Sequence, residues 1–279
     1  MKKFIAVVLC VLMAAVSLTG CSSSNKQSVD AIKKEGKIIM ATNAEFPPYE
    51  YRSEGKVLGV DVDIAEAIAK ELGVELEIQD IDFDTIITSV QNGKVAMGIA
   101  GMTVTDERKE SVDFSVSYAT STQYIIVPES MNIETIADLA GKKIGVQLGT
   151  TGDFVVSDEI SGYFDDDGNK TKDGSLEGTG ATVQSYTNAN LAAAALDAGK
   201  IDAVVIDKLT AELIVNNYSG MKVVKFLYTD KTDTQESYAI CVAKGNDELL
   251  EVINKVLNNL IAEGKIDEFT INHTTNVKA

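Results

Sequence analysis

The chain has 279 residues, with 25 Lys and Arg against 42 Asp and Glu, a formal charge of −17. Such acidity argues against a nucleic-acid partner and against a polybasic membrane patch. With a single His and three Cys, there is little material for a transition-metal site or a Ser–His–Asp triad, and no metal or cofactor is expected.

Residues 1–20 carry Lys2 and Lys3, an apolar run from Phe4 to Val16, and Leu18-Thr19-Gly20 directly before Cys21. A short positive region followed by a short apolar stretch is the pattern of a secretory signal. The Leu-Thr-Gly-Cys ending resembles the bacterial lipobox, at which the cysteine is lipidated and becomes the first mature residue. The expected division is a signal at 1–20, then the lipidated Cys21 with a flexible tether at 21–36. Loss of Lys2 and Lys3 takes the charge from −17 to −19. Cys10 leaves with the signal and Cys21 carries lipid, so Cys241 is the remaining thiol, expected as a small buried apolar residue.

About 250 residues remain, comfortable for two cores. Lys37 to Ala41 predicts a strand. Asp61 to Leu72 predicts a helix, with Ile64, Ile68 and Leu72 on one face and Gly73 as its stop. Val74, Leu76 and Ile78 alternate as a strand, Phe83 to Gln91 is the next helix, and Val95 to Ile99 reads as a buried strand. The second half repeats the arrangement. Lys143 to Val146 is a strand, Gly152 to Ile160 a helix, Val183 to Ser185 a strand, Asn188 to Ala198 a helix, Ile201 to Ile206 a buried strand and Lys208 to Asn216 a helix. Strands separated by helices predict two open α/β sheets. The acidic run Tyr163 to Asn169 fails the calcium-loop pattern and reads as a solvated excursion, and His273 falls in an expected frayed tail at 273–279.

Segment 101–108 should form the loop at the carboxyl end of the Val95–Ile99 strand, where open α/β sheets bind ligands. It gathers Gly101, Thr103, Thr105, backbone N–H groups and Arg108. Arginine offers a planar fork that matches a carboxylate. The ordinary alternative is an exposed ion pair on a surface loop. Residues 89–100 and 195–206 then match each other as helix end, Gly-Lys turn and buried strand. The first strand leads to Arg108 and the second to Asp207, so equivalent edges of two lobes offer a cation and an anion. A cleft between them could hold a zwitterion, whose charged groups need partners when buried. Helix N-capping is the ordinary alternative for Asp207.

These features resemble the solute-binding proteins of polar amino-acid ABC importers, the family 3 periplasmic binding proteins related to glutamine- and lysine/arginine/ornithine-binding proteins. The similarity runs from about Lys37 to about Phe269. It is carried by Ala41 to Tyr51, Gly59 to Ile64, Ala100 to Arg108, Ser111 to Ser115, Gly145 to Gly152 and Asp202 to Asp207. The resemblance implies a type II two-lobe fold, with lobe 1 at 37–121 plus 232–272 and lobe 2 at 122–231, crossing near Thr120–Gln123 and Tyr228–Glu236. It implies a carboxylate site at Arg108, helped by Thr103 and backbone at Gly101 and Thr151, and an α-ammonium site at Asp207. Phe46 and Phe83 would sandwich the ligand's stem, with Asn43, Glu45 and Gln147 near its side chain. Asn43 stands where several relatives have Asp. The implied protein is a monomeric receptor that is no enzyme, held outside the cell membrane by lipid on Cys21. By hinge closure it would deliver a polar or cationic L-amino acid to a permease. The rival is a cyclohexadienyl-dehydratase-like enzyme on the same fold, with Glu45 its nominated acid–base.

Overall fold

The computed structural model describes residues 27–278, so the signal and Cys21 lie outside the described residues. Part of the expected tether is ordered. Helix α1 (Val29–Glu35) is capped by the Ser28 side chain, and it buries Val29 and Ile32. The Gln27 amide also donates to Gly93 O at 2.9 Å.

Two five-stranded sheets follow. The first is built from β1 (Lys37–Thr42), β5 (Glu75–Asp80), β6 (Met97–Gly98), β7 (Val112–Phe114) and β17 (Cys241–Ala243), in the order β5-β1-β6-β17-β7. Strands β1, β5 and β6 are parallel, and β17 runs antiparallel to both β6 and β7. The second comprises β9 (Gln123–Pro128), β10 (Lys143–Gln147), β13 (Thr182–Tyr186), β14 (Ala203–Asp207) and β15 (Met221–Lys225), in the order β13-β10-β14-β9-β15. Here too the first three are parallel, and the fourth, β9, is antiparallel to its neighbours. The two sheets therefore share one plan, and β6 and β14 hold the same third position.

The internal sequence match is a structural match. Helix α3 (Ile86–Gln91) and helix α6 (Ala189–Asp197) end in the same hydrogen-bonded turn before β6 and β14. Lys94 N–H returns to Ser89 O and Lys200 N–H to Ala195 O, with Gly93 at φ 63° and Gly199 at φ 64°. Glycine tolerates that left-handed geometry, which closes the helix end. Strands β6 and β14 are shorter than their apolar runs suggest, because Val95 and Ile201 pack in the core before ladder pairing begins.

The lobes are joined by an antiparallel ribbon of β8 (Ala119–Ser121) and β16 (Glu236–Tyr238). Chain leaving β8 enters β9, the fourth strand of lobe 2; chain leaving β16 enters β17, the fourth strand of lobe 1. The strand-like run around Cys241 is thus two strands, and Cys241 itself is fully buried, its thiol pushed up to about 12 by burial. A hairpin sheet of β2 (Glu45–Phe46), β3 (Glu50–Ser53) and β4 (Lys56–Leu58) extends lobe 1, and an antiparallel pair, β11 (Tyr163–Phe164) and β12 (Lys170–Lys172), extends lobe 2.

Helix α2 (Val60–Leu72) buries Ile64, Ile68 and Leu72 as the spacing predicts. With α8 (Asp247–Ala262) it covers one face of the first sheet. That core runs on through Phe46, Tyr49 and Tyr238 to Ala192, Leu196 and Ile214 of lobe 2. The opposite sheet faces have cores of their own.

The frayed tail is a correction. Helix α9 spans Lys265–Lys278, and His273 is buried. Its Nδ1 lies 3.0 Å from the Tyr51 hydroxyl and its Nε2 3.0 Å from Asp63 Oδ2, so one imidazole ties the C-terminus to β3 and α2. Among the described residues no helix is long and apolar enough to cross a membrane. Replacing His273 by Ala strands the Tyr51 hydroxyl and is expected to cost about 1–3 kcal/mol of unfolding free energy. Urea denaturation measures it, and an unchanged midpoint would contradict the pinning role.

Candidate functional site

After β6 the chain leaves the first sheet and runs beside the interlobe ribbon: Ala239 N–H donates to Met102 O, Val104 N–H to Ser237 O, and Thr103 bridges Tyr238. Thr105 then N-caps helix α4 (Asp106–Ser111), its hydroxyl accepting from Arg108 N–H at 3.1 Å. Arg108 thus sits in a helical first turn rather than in a loop. The signal was legible in Thr105 followed by Asp106 and Glu107, a cap with acidic first-turn residues.

Arg108 is buried, which costs several kcal/mol for an unpaired ion. Its guanidinium donates to Thr103 O at 2.7 Å and to Gly149 O of lobe 2 at 2.9 Å. It lies over the rings of Phe83 at 5.4 Å and Phe154 at 5.9 Å. Among the described residues its hydrogen-bond partners are these two carbonyls, and a guanidinium has further donors to give. Burial pulls its pKa down, against the attraction of Glu236.

Asp207 ends β14 at the N-cap position of α7 (Lys208–Val215), yet its side chain makes no capping bond. The carboxylate turns inward instead. Oδ1 accepts from the Tyr238 hydroxyl at 2.5 Å and Oδ2 from the Gln123 amide at 3.0 Å. The same Gln123 amide reaches Glu236 Oε1 at 3.2 Å, and Thr151 Oγ1 donates to Glu236 Oε2 at 2.9 Å. Burial, then the neighbouring Glu236, pushes the Asp207 carboxyl above the ordinary range.

Arg108 and Asp207 open on one cavity between the lobes. Asn43, Phe46, Phe83, Gly101, Thr103, Gln147 and Thr151 line it with them, as do Ala100, Thr150 and Glu50, which sequence reasoning missed. The Gln147 amide donates to Asn43 Oδ1 at 3.0 Å, and the Asn43 amide to Ile81 O, closing one wall. Gly101 lines the cavity, but its N–H is committed to Asp61 Oδ2 at 2.8 Å. Glu45 lies elsewhere, in an outer pocket with Asp80 and Asp82, where it accepts from the Asn190 amide at 2.8 Å. Away from the ribbon residues Glu236 and Tyr238, hydrogen bonds that span the lobes around this region include Arg108 to Gly149, Gln147 to Asn43, Asn190 to Glu45 and Thr210 to Pro47. The cleft is shut.

Behind the lining stand Asp61, Tyr118, Gln123, Glu236 and Tyr238, also unforeseen. A period-two reading of Thr234 to Tyr238 could have found Glu236, since Thr234, Glu236 and Tyr238 are the buried positions of that stretch. Glu50 gave no such signal, because Tyr49, Glu50 and Tyr51 are all buried. Among the described residues no group of three or more His, Cys, Asp or Glu could hold a metal ion.

Gly101 has φ 52°, and an added Cβ would lie 2.6 Å from Phe46 Cε1. Gly101→Ala is expected to lose about 2–4 kcal/mol of stability through backbone strain and overpacking. Wild-type behaviour in urea would show that the Phe46 ring yields.

Comparison with known proteins agrees in one direction. The sequence profile of the bacterial extracellular solute-binding proteins, family 3, matches residues 38–274. The arginine-binding extracellular protein ArtP of Bacillus subtilis is 32% identical over 273 residues, covering 96% of each chain. An ancestral arginine-binding protein, solved with arginine bound, is 39% identical with a TM-score of 0.74, covering 85% of this chain and 97% of its own. The substrate-binding protein AbpA of Streptococcus pneumoniae, solved with L-arginine, is 31% identical with a TM-score of 0.78, covering 90% and 99%.

Proposed function

The chain belongs to family 3 of the bacterial extracellular solute-binding proteins, and from that premise we propose that it is the amino-acid receptor of an ABC importer, selective for a cationic L-amino acid. The observation that carries this reading is the pair of buried, opposite charges at the ends of equivalent regions of two lobes. Arg108 takes the α-carboxylate, with Thr103 and the first N–H groups of α5 (Thr151–Ser161) as further donors. Asp207 takes the α-ammonium. Phe46 and Phe83 enclose the aliphatic stem.

The side chain's class follows from charge. Among the described residues Arg108 is the only cation lining the cavity, whereas Asp207 and Glu50 are both carboxyl groups there. Apart from the neighbouring Asp61, both Glu50 oxygens are buried without a hydrogen-bond partner among the described residues. A zwitterion satisfies Arg108 and Asp207, and a second positive charge satisfies Glu50. The relatives solved with arginine agree with that count. The dehydratase alternative loses its acid–base, because Glu45 is held by Asn190 outside the cavity.

The remaining parts complete the receptor. Lobes at 37–121 plus 232–272 and at 122–231 close about the β8–β16 ribbon. A signal at 1–20 is removed and Cys21 is lipidated, which holds a monomer beside its permease at high effective concentration. The closed form is the one the permease receives.

Titration calorimetry with L-arginine tests the site. Arg108→Ala is expected to cost about 2–5 kcal/mol of binding, because the ligand carboxylate then lies buried without its partner. Unchanged affinity would remove Arg108 from the site.

A further inference from the structure

Phe46 on β2 and Glu50 on β3 are directly paired, so both side chains leave the hairpin on one face, and both line the cavity. Against Glu50 stands Asp61, from the first turn of α2; the two carboxyl groups interact directly. Asp61 Oδ2 accepts from Gly101 N–H at 2.8 Å and from the Tyr118 hydroxyl at 3.0 Å. Asp61 Oδ1 and both Glu50 oxygens are buried, and apart from each other they have no hydrogen-bond partner among the described residues. Two carboxylates in such contact, out of water, do not both ionise; they share one proton.

Glu50 holds that proton. Burial raises both groups, but the hydrogen bonds from Glu50, Gly101 and Tyr118 draw Asp61 back down. Glu50 has no such relief, and the charges of Asp61, Asp80 and Asp207 push it further up. Tyr118 and Tyr49, which also face the pair, are themselves pushed up and stay neutral.

We propose that Glu50, held against Asp61, reads the charge of the ligand's side chain by exchanging the pair's proton for a cationic head group. The inference rests on the amino-acid receptor reading and names how its selectivity works. The exchange balances: the ligand brings one positive charge into the cavity, and one proton leaves Glu50 for solvent. A neutral head group hydrogen-bonds the protonated carboxyl and leaves the proton in place. Arginine and its uncharged isostere citrulline carry the same α-ammonium, so any proton released at Asp207 and Glu236 is common to both. Their difference isolates Glu50.

Calorimetry on the full chain, at one pH in buffers of high and low ionisation enthalpy, counts the protons. L-arginine is expected to release about one proton more than L-citrulline, and its affinity relative to citrulline to rise about tenfold per pH unit while the pair retains its proton. Glu50→Gln should abolish the difference and remove the preference for arginine. Asp61→Asn leaves Glu50 a single carboxyl, and should shift the pH dependence of arginine binding to lower pH. Equal proton release by the two ligands overturns the proposal while leaving the receptor reading intact, and so do arginine heats that do not depend on the buffer. Failure of both ligands to bind overturns the receptor reading and this inference with it. Where Glu50→Gln does not fold, the comparison of ligands on the wild-type protein still decides.

Discussion

A buried guanidinium that has no carboxylate partner among the described residues is the constraint around which this molecule is arranged. Removing an ion from water costs several kcal/mol unless something in the interior replaces the lost hydration. Among the described residues Arg108 finds only two carbonyls, Thr103 O from lobe 1 and Gly149 O from lobe 2, and two aromatic rings, Phe83 and Phe154, again one from each lobe. The side chain is therefore both a binding group with unspent donors and a bond across the cleft.

The fold makes that arrangement available twice over. Both sheets have the same order of parallel and antiparallel strands, and both deliver a charged residue from the third position. The interlobe ribbon feeds the fourth strand of each sheet, so it passes beside both charged groups. Gln123, at the start of β9, touches Asp207 and Glu236 with one amide; Glu236, on the ribbon, holds Thr151; Tyr238, two residues on, holds Asp207. Any rotation of the lobes about the ribbon must rearrange these bonds, which ties the geometry around Asp207 to the degree of closure.

The elements that make up this frame were legible where local pattern and tertiary role agree. The Ile64–Ile68–Leu72 stripe, the Gly-Lys turns and the apolar strands gave the alternation of the two lobes, and the repeated turn placed Arg108 and Asp207 on equivalent edges. What local pattern cannot carry is partnership at a distance. The N-cap position of Asp207 reads as a helix start in sequence, and only the Tyr238 hydroxyl and the Gln123 amide reveal that the carboxylate faces inward. Glu45 sits next to the cavity in sequence, yet the hairpin turns it toward Asn190. Glu50 follows two prolines and a tyrosine, and the partner it faces, Asp61, stands eleven residues on at the start of a helix. His273 looked like part of a tail because its partners, Tyr51 and Asp63, are more than two hundred residues away.

The central claim is that this cavity is a receptor for an amino-acid zwitterion with a cationic side chain. A thermal-shift screen of the protein against the twenty L-amino acids, ornithine, cystine and prephenate tests it most directly, because a ligand that binds only the folded state raises the melting temperature by mass action. The account predicts a shift with arginine and its cationic relatives and none with prephenate. A shift or turnover with prephenate, and silence for every amino acid, would contradict it.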